Sequence, residues 1–291
     1  MTVNPLRFDA QRGLNLRVKI RERRMNQSTK LWQWPNVLAI DAALIAVLWQ
    51  ATLARALELP LAVPAYFVLG LSVWLTYMGD RLYDVKSREI AMLLSARHQF
   101  AKRFRRGLWF IWFAVLAVNL VSATQLSPAQ LKHGVFLLVV CLSYTLLNQK
   151  LSRRFFPKEL CVALIYAGGV VVFIPVSVPL IFMGGFTGLC LLNCLLIGAK
   201  EKSIDAELRV HSLAPLVAEQ WLGWLAICSA ISMLGIGGAW GWPWAWPLAL
   251  SFGLLGLLHR MRRQIAVENF RVLADGLLLV APILSMLESR L

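Results

Sequence analysis

Long apolar stretches bounded by polar residues alternate along most of the chain. The apolar runs cover residues 36–57, 62–79, 107–124, 133–148, 159–175, 177–198, 214–238, 244–259 and 270–287. A helix needs about 20 apolar residues to cross a hydrocarbon core of roughly 30 Å. The pattern therefore predicts an all-α polytopic membrane protein, a bundle of nine transmembrane helices. Composition agrees, because 58% of the 291 residues are hydrophobic and only 15% are charged, whereas soluble domains have about 25% charged residues.

Basic residues are concentrated in alternate polar segments. If the N-terminus is cytoplasmic, the inner segments hold 27 of the 30 Lys and Arg residues; these segments are 1–35, 80–106, 149–158, 199–213 and 260–271. The positive-inside rule then predicts an N-in, C-out topology. We expect a basic cytoplasmic tail over 1–35 and a nine-helix transmembrane domain over 36–291.

The net charge of +15 is expected to face anionic lipid headgroups and not nucleic acid, because it follows the topology of the membrane. No organelle-targeting signal is evident, so a bacterial inner (plasma) membrane is the expected location. The five cysteines lie within apolar runs without a metal-binding spacing, and we interpret them as small core residues.

Two pairs of acidic residues stand where apolar runs end at the inner face. Asp80 and Asp84 follow the second run, and Glu201 and Asp205 follow the sixth. Acids four residues apart share one face of a helix. Magnesium binds hard oxygen ligands and often shares them with a substrate phosphate. The four carboxylates are therefore the predicted magnesium ligands and catalytic residues, although solvated surface pairs are the alternative.

Basic side chains in the same inner segments are suited to a diphosphate. Arg binds phosphate oxygens through a bidentate fork, and Lys acts as a point charge. The predicted substrate-binding cations are Arg81, Arg88, Arg97, Lys150 and Arg153.

Four further residues within apolar runs could contribute chemistry. Asn193 precedes Glu201 on the same predicted helix and is expected to face the same cavity as a substrate-binding residue. Tyr144, near the inner end of the fourth run, could stabilise a carbocation through its ring or anchor the helix at the interface. Asp41 and Asp275 are acids inside apolar runs, which are costly unless paired. Arg271 precedes Asp275 by four residues and is its expected partner, whereas Asp41 has no assigned role.

In these features the chain resembles the UbiA-type membrane prenyltransferases over roughly residues 30–290. Helix number, orientation and the placement of both acidic motifs carry the resemblance. The stretch from Tyr144 to Gly169 adds to it, since it looks like the family's Tyr, basic loop, Pro and fifth-helix glycines.

The first motif departs from the family pattern, which reads Asn-Asp-x-x-Asp-x-x-x-Asp. With Asp84 matched to the central Asp, the chain has Asp80 for the Asn, Arg81 for the next Asp and Arg88 for the last. Carboxylates have been lost and guanidinium groups gained.

The resemblance implies magnesium-dependent transfer of an isoprenyl group from a prenyl diphosphate to a lipophilic acceptor within the membrane, such as an aromatic ring. One alternative on the same fold is a terpene cyclase, in which the cation is captured intramolecularly. Another is a non-catalytic prenyl-lipid binding protein, or a transporter whose acids Asp41 and Asp275 carry protons. A transporter should show discontinuous helices and charges at the midplane.

Overall fold

The computed structural model describes residues 29–86, 95–151, 157–175, 178–208 and 219–288, without the side chains of 148–151 and 202–208. The described residues form eleven α-helices and no strand. The helices are α1 (Trp34–Val37), α2 (Ile40–Ala56), α3 (Val63–Asp84), α4 (Ala96–Arg103), α5 (Arg105–Ala123), α6 (Pro128–Leu151), α7 (Lys158–Val171), α8 (Leu180–Leu208), α9 (Glu219–Trp240), α10 (Ala245–Arg260) and α11 (Val267–Glu288).

Each predicted apolar run contains one of the nine long helices, and the short helices α1 and α4 lie between or before them. The expected all-α architecture is therefore confirmed for the described residues. Five helices, α5, α6, α8, α9 and α11, are each long and apolar enough to cross a membrane, and α1 with α2 would make a sixth, bent span. The count of nine spans and the N-in orientation stay predictions.

The core is built around α8, which packs against α7, α9, α10 and α11. Phe182 and Phe186 of α8 are fully buried and stack with their ring centroids 5.8 Å apart. Trp49 of α2 lies 4.9 Å from Phe186 and donates a hydrogen bond of 3.0 Å to the carbonyl of Leu278 on α11. Lipid tails are as apolar as these side chains, so close packing and interhelical hydrogen bonds hold the helices together.

The first span is broken between α1 and α2, which meet at 78°. Ala39 at the break has φ +57°, a left-handed conformation that costs a residue with a Cβ about 1–2 kcal/mol. Side chains of α3 donate hydrogen bonds to the carbonyls at the break. Arg81 Nη1 donates to the carbonyls of Asn36 and Val37 at 2.8 Å each, and Trp74 Nε1 donates at 2.9 Å to the next carbonyl. The break thus fixes Arg81 inside the bundle.

The hairpin formed by α5 and α6 has few buried side chains in the described fold. Helix α5 packs on α3, where Trp112 Nε1 donates at 2.8 Å to the carbonyl of Leu75. Helix α6 packs on α7, and its Gln130 Nε2 donates at 3.0 Å to the carbonyl of Phe173, two residues beyond the end of α7. None of the described side chains of α6 is buried.

Candidate functional site

The first predicted acidic pair lies at the C-terminal end of α3. Asp80 and Asp84 are exposed, whereas Arg81 and Leu82 between them are buried. The helical period explains this division, because residues four apart share a face and their neighbours point elsewhere. Both carboxylates are therefore accessible on one side of the helix.

Three cations interact electrostatically with the carboxylate of Asp80. They are Arg97 of α4, the adjacent Arg81, and Lys158 at the start of α7, named in order of decreasing attraction. The side chain of Asp80 is partly surrounded by protein atoms, and the resulting desolvation raises the pKa of its carboxyl group. The three cations act in the opposite direction and lower this pKa. Bases from three helices within electrostatic range of Asp80 are suited to an anionic ligand beside the acidic pair.

Guanidinium groups in this region repel one another. Burial, followed by repulsion from Arg97, lowers the pKa of Arg81 to about 10, so Arg81 remains charged at neutral pH. Arg271 of α11 is also repelled by Arg97 and Arg81. The Nε atom of Arg97 is buried and has no hydrogen-bond partner among the described residues. A phosphate oxygen would supply that partner and reduce the repulsion.

Glu201, from the second acidic pair, has a different environment from Asp80. It is only 7% exposed and forms an ion pair with Arg271, which is 4% exposed. The expected partner of Arg271 was Asp275, so the structure differs from the expectation here. Because α8 brings Glu201 beside α11, the guanidinium meets a carboxylate from another helix.

No group of three or more His, Cys, Asp or Glu side chains that could hold a metal occurs in the described part of the chain. The side chain of Asp205 lies outside that part, so the four-carboxylate site stays a prediction. Magnesium usually uses one or two carboxylates together with waters and substrate phosphates. Asp80 and Asp84 fit such a site, whereas Glu201 is already engaged by Arg271.

Asp275 is held by amides from two other helices. Its Oδ1 accepts a hydrogen bond of 2.9 Å from Asn193 Nδ2, and its Oδ2 accepts one of 2.9 Å from Asn36 Nδ2. The same Asn36 nitrogen donates at 2.6 Å to Asp41 Oδ2, and Asp41 Oδ1 accepts from the backbone N–H of Ala42 at 2.8 Å. The role of Asn193 in substrate binding stays a prediction. In the structure the side-chain amide of Asn193 donates its hydrogen bond to Asp275.

Two tyrosines that the sequence did not single out face the interior beside these groups. The rings of Tyr77 on α3 and Tyr166 on α7 lie 6.4 Å apart in an edge-to-face arrangement, and both are partly accessible. The Tyr166 hydroxyl donates at 2.6 Å to the carbonyl of Ala42, and its ring stacks 6.4 Å from Phe186. Ring faces held in this way can stabilise a cation.

The structure describes the side chains of only some of the other predicted site residues. Tyr144 is partly buried and lies within electrostatic reach of Asp80. Lys150 and Asp205 are on described helices without described side chains, and Arg88 and Arg153 lie outside the described residues. Lys158 was missed because Pro157-Lys158 indicated only a helix start, although its position beside the basic loop could have suggested a phosphate contact.

Comparison with known proteins shows the fold. No protein-family model matches the chain, and no curated protein matches it. The chain is similar to the apo structure of a UbiA homolog from Aeropyrum pernix K1, with a TM-score of 0.60 and 14% identity. The match covers 87% of this chain and 99% of that chain. The chain therefore has the fold of a UbiA homolog, and its apolar helices are those of an integral membrane protein.

Proposed function

We propose that the protein transfers an isoprenyl group from a prenyl diphosphate to a lipophilic acceptor, such as an aromatic ring, within the membrane. The observation that carries the proposal is that three cations from three helices, Arg81, Arg97 and Lys158, interact electrostatically with Asp80 at one end of a mostly apolar bundle. A diphosphate head attached to an apolar chain complements such a site, because one end is anionic and the other is hydrocarbon.

The cations bind the diphosphate and stabilise its charge as it leaves. Arg97 offers a buried Nε without a described partner, and Arg guanidinium groups suit phosphate oxygens through paired N–H donors. Lys158 adds a point charge at the start of α7. Lys150, Arg88 and Arg153 belong to the same proposal by their place in the sequence.

Asp80 and Asp84 are the residues that would hold magnesium, with Asp205 as a further ligand. A bound magnesium ion supplies charge neutralisation on the diphosphate oxygens. The carbon–oxygen bond of the prenyl diphosphate then breaks, and its electron pair leaves with the diphosphate. The allylic cation lies near the rings of Tyr77, Tyr166 and Tyr144, in an apolar interior that limits the access of water.

The test is diphosphate release by the purified protein with geranyl, farnesyl and geranylgeranyl diphosphates, with and without magnesium. Asp80→Asn and Asp84→Asn should each abolish the magnesium-dependent release of diphosphate. Their unfolding temperatures in detergent should match that of the wild type. Glu58→Gln is the matched control, since Glu58 is an exposed acid at the other end of the bundle. Wild-type release in both Asp variants would refute the metal role.

Products without any added acceptor separate the two reactions on this fold. A transferase needs the acceptor to form a prenylated product, whereas a cyclase forms a hydrocarbon or cyclic alcohol from the prenyl diphosphate alone.

Prenyl-lipid binding or transport is the second candidate, because the first span is bent by 78° and Asp41 and Asp275 lie inside apolar runs. Discontinuous helices of this kind occur in transporters. Prenyl diphosphate binding with no diphosphate release, whatever acceptor is added, would favour this function over the transferase.

A further inference from the structure

The carboxylate of Asp275 is not used by the proposed ionisation step. Asp275 is partly accessible, and its described hydrogen bonds come only from the neutral amides of Asn36 and Asn193. Arg271, the cation one turn away, is engaged by Glu201. An acid inside an apolar helix without a direct cationic partner is costly, so its position requires an explanation beyond packing.

Asp275 and Tyr166 belong to one hydrogen-bonded network. Tyr166 donates to the carbonyl of Ala42, the N–H of Ala42 donates to Asp41, and Asn36 bridges Asp41 and Asp275. Asp275 also interacts electrostatically with both Tyr77 and Tyr166. Titratable and charged groups on several helices interact electrostatically with Asp275. They are Asp41 on α2, Tyr77 and Arg81 on α3, Arg97 on α4, Tyr166 on α7, Cys194 on α8, and Arg271 on its own helix, where Glu201 of α8 is paired with Arg271.

Asp41 resembles Asp275 in type and partner but differs in access. It is 6% exposed, and its two oxygens accept from the backbone of α2 and from Asn36. A carboxylate in the first turn of a helix also stabilises that helix end. Asp41 is therefore a structural residue that helps to hold Asn36, and Asp275 is the member of the pair that reaches the interior.

We propose that Asp275 is the base that accepts the proton released when the prenyl cation is converted to product. This inference rests on the proposed function, because it requires an allylic cation near Tyr77 and Tyr166. When the cation adds to an aromatic carbon, a carbon–carbon bond forms and the ring becomes cationic. The ring C–H bond then breaks, its electron pair returns to the ring, and the proton moves to a carboxylate oxygen of Asp275.

The same base serves the cyclase alternative. There a C–H bond next to the cationic carbon breaks, its electron pair forms a double bond, and the proton again moves to Asp275. Asn36 and Asn193 are positioning residues in either case, since their N–H groups donate to the two carboxylate oxygens and orient them.

Asp275→Asn is the direct test, because the side chain keeps its shape and an oxygen for one amide donor but cannot accept the proton. Diphosphate release should persist, while formation of prenylated product falls about 100-fold, as for removal of a general base. Without the base the addition reverses, and water captures the cation to give a prenyl alcohol. The measured quantity is prenylated product per diphosphate released, with Glu58→Gln, an exposed acid outside this network, as the control that keeps the wild-type ratio.

A wild-type ratio of product to diphosphate in Asp275→Asn would overturn the proposal. If that variant does not fold, the wild-type ratio is measured against pH: it should fall as acid protonates Asp275, with prenyl alcohol replacing product, and a constant ratio would overturn the proposal. Absence of diphosphate release from the wild type with any acceptor would instead refute the proposed function, which distinguishes the two failures.

Discussion

Replacement of Glu201 by Gln distinguishes two roles for Glu201, as the partner of Arg271 in a structural ion pair or as a metal ligand. The substitution keeps the size of the side chain and removes its charge, so Arg271 stays buried opposite a neutral amide. In the structure Glu201 is 7% and Arg271 4% exposed, which keeps water from solvating the guanidinium that loses its partner.

The expected loss of unfolding free energy is about 3–5 kcal/mol, the usual cost of breaking a buried pair on one side only. Replacement of both partners, Glu201→Gln with Arg271→Met, should recover much of the loss, since no uncompensated charge remains.

The assay is reversible unfolding of the single and double variants in mixed micelles, analysed as a double-mutant cycle. An exposed pair, Glu219 with Arg262 at 3.5 Å, provides the control. Its side chains are 41% and 26% exposed, so Glu219→Gln should cost at most about 1 kcal/mol. Equal effects of Glu201→Gln and Glu219→Gln, with no coupling to Arg271, would refute the reasoning. Weaker magnesium binding by Glu201→Gln at unchanged stability would identify Glu201 as a metal ligand.

Three further predictions follow from the described contacts. Arg97→Gln should raise the KM for prenyl diphosphate about 10- to 100-fold, the value of a lost hydrogen bond to a charged group, while Arg106→Gln, an exposed inner-face control, leaves it unchanged. Diphosphate release should fall as pH drops through the raised pKa of Asp80, because only the carboxylate form binds metal; the acidic limb should therefore lie above the ordinary value of 3.8 and disappear in Asp80→Asn. Gly237→Ala should lower the unfolding temperature, because its Cβ would come within 2.9 Å of a Cβ on α10, whereas Gly235→Ala meets nothing within 4 Å and should be neutral or stabilising.

The sequence predicted those features that depend on local spacing and on the membrane. The nine apolar runs each contain a helix because hydrophobic length determines where a helix can form in lipid. Asp80 and Asp84 share an accessible face because their spacing matches the helical period. Arg81 and Arg97 converge on Asp80 because the inner segments collect basic residues at one face.

Contacts between distant helices could not be predicted from one sequence. The pairing of Arg271 with Glu201 joins residues 70 positions apart, whereas the spacing of four pointed to Asp275. The bridge from Asn36 to Asp275 spans 239 positions. The bend at Ala39 was not predicted because neither Ala39 nor its two neighbours is Gly or Pro, and the contacts that hold it come from Arg81 on a distant part of the chain.

Helix α6 has a consequence for any preparation of this protein. Since none of its described side chains is buried and it rests mainly on α7, the surrounding lipid supplies most of its van der Waals contacts. The annular lipid is thus part of the support of Tyr144, the aromatic ring that α6 brings near Asp80. Detergents that pack poorly against a lone helix should detach α6 first, and bilayer nanodiscs of native thickness should preserve activity that micelles lose.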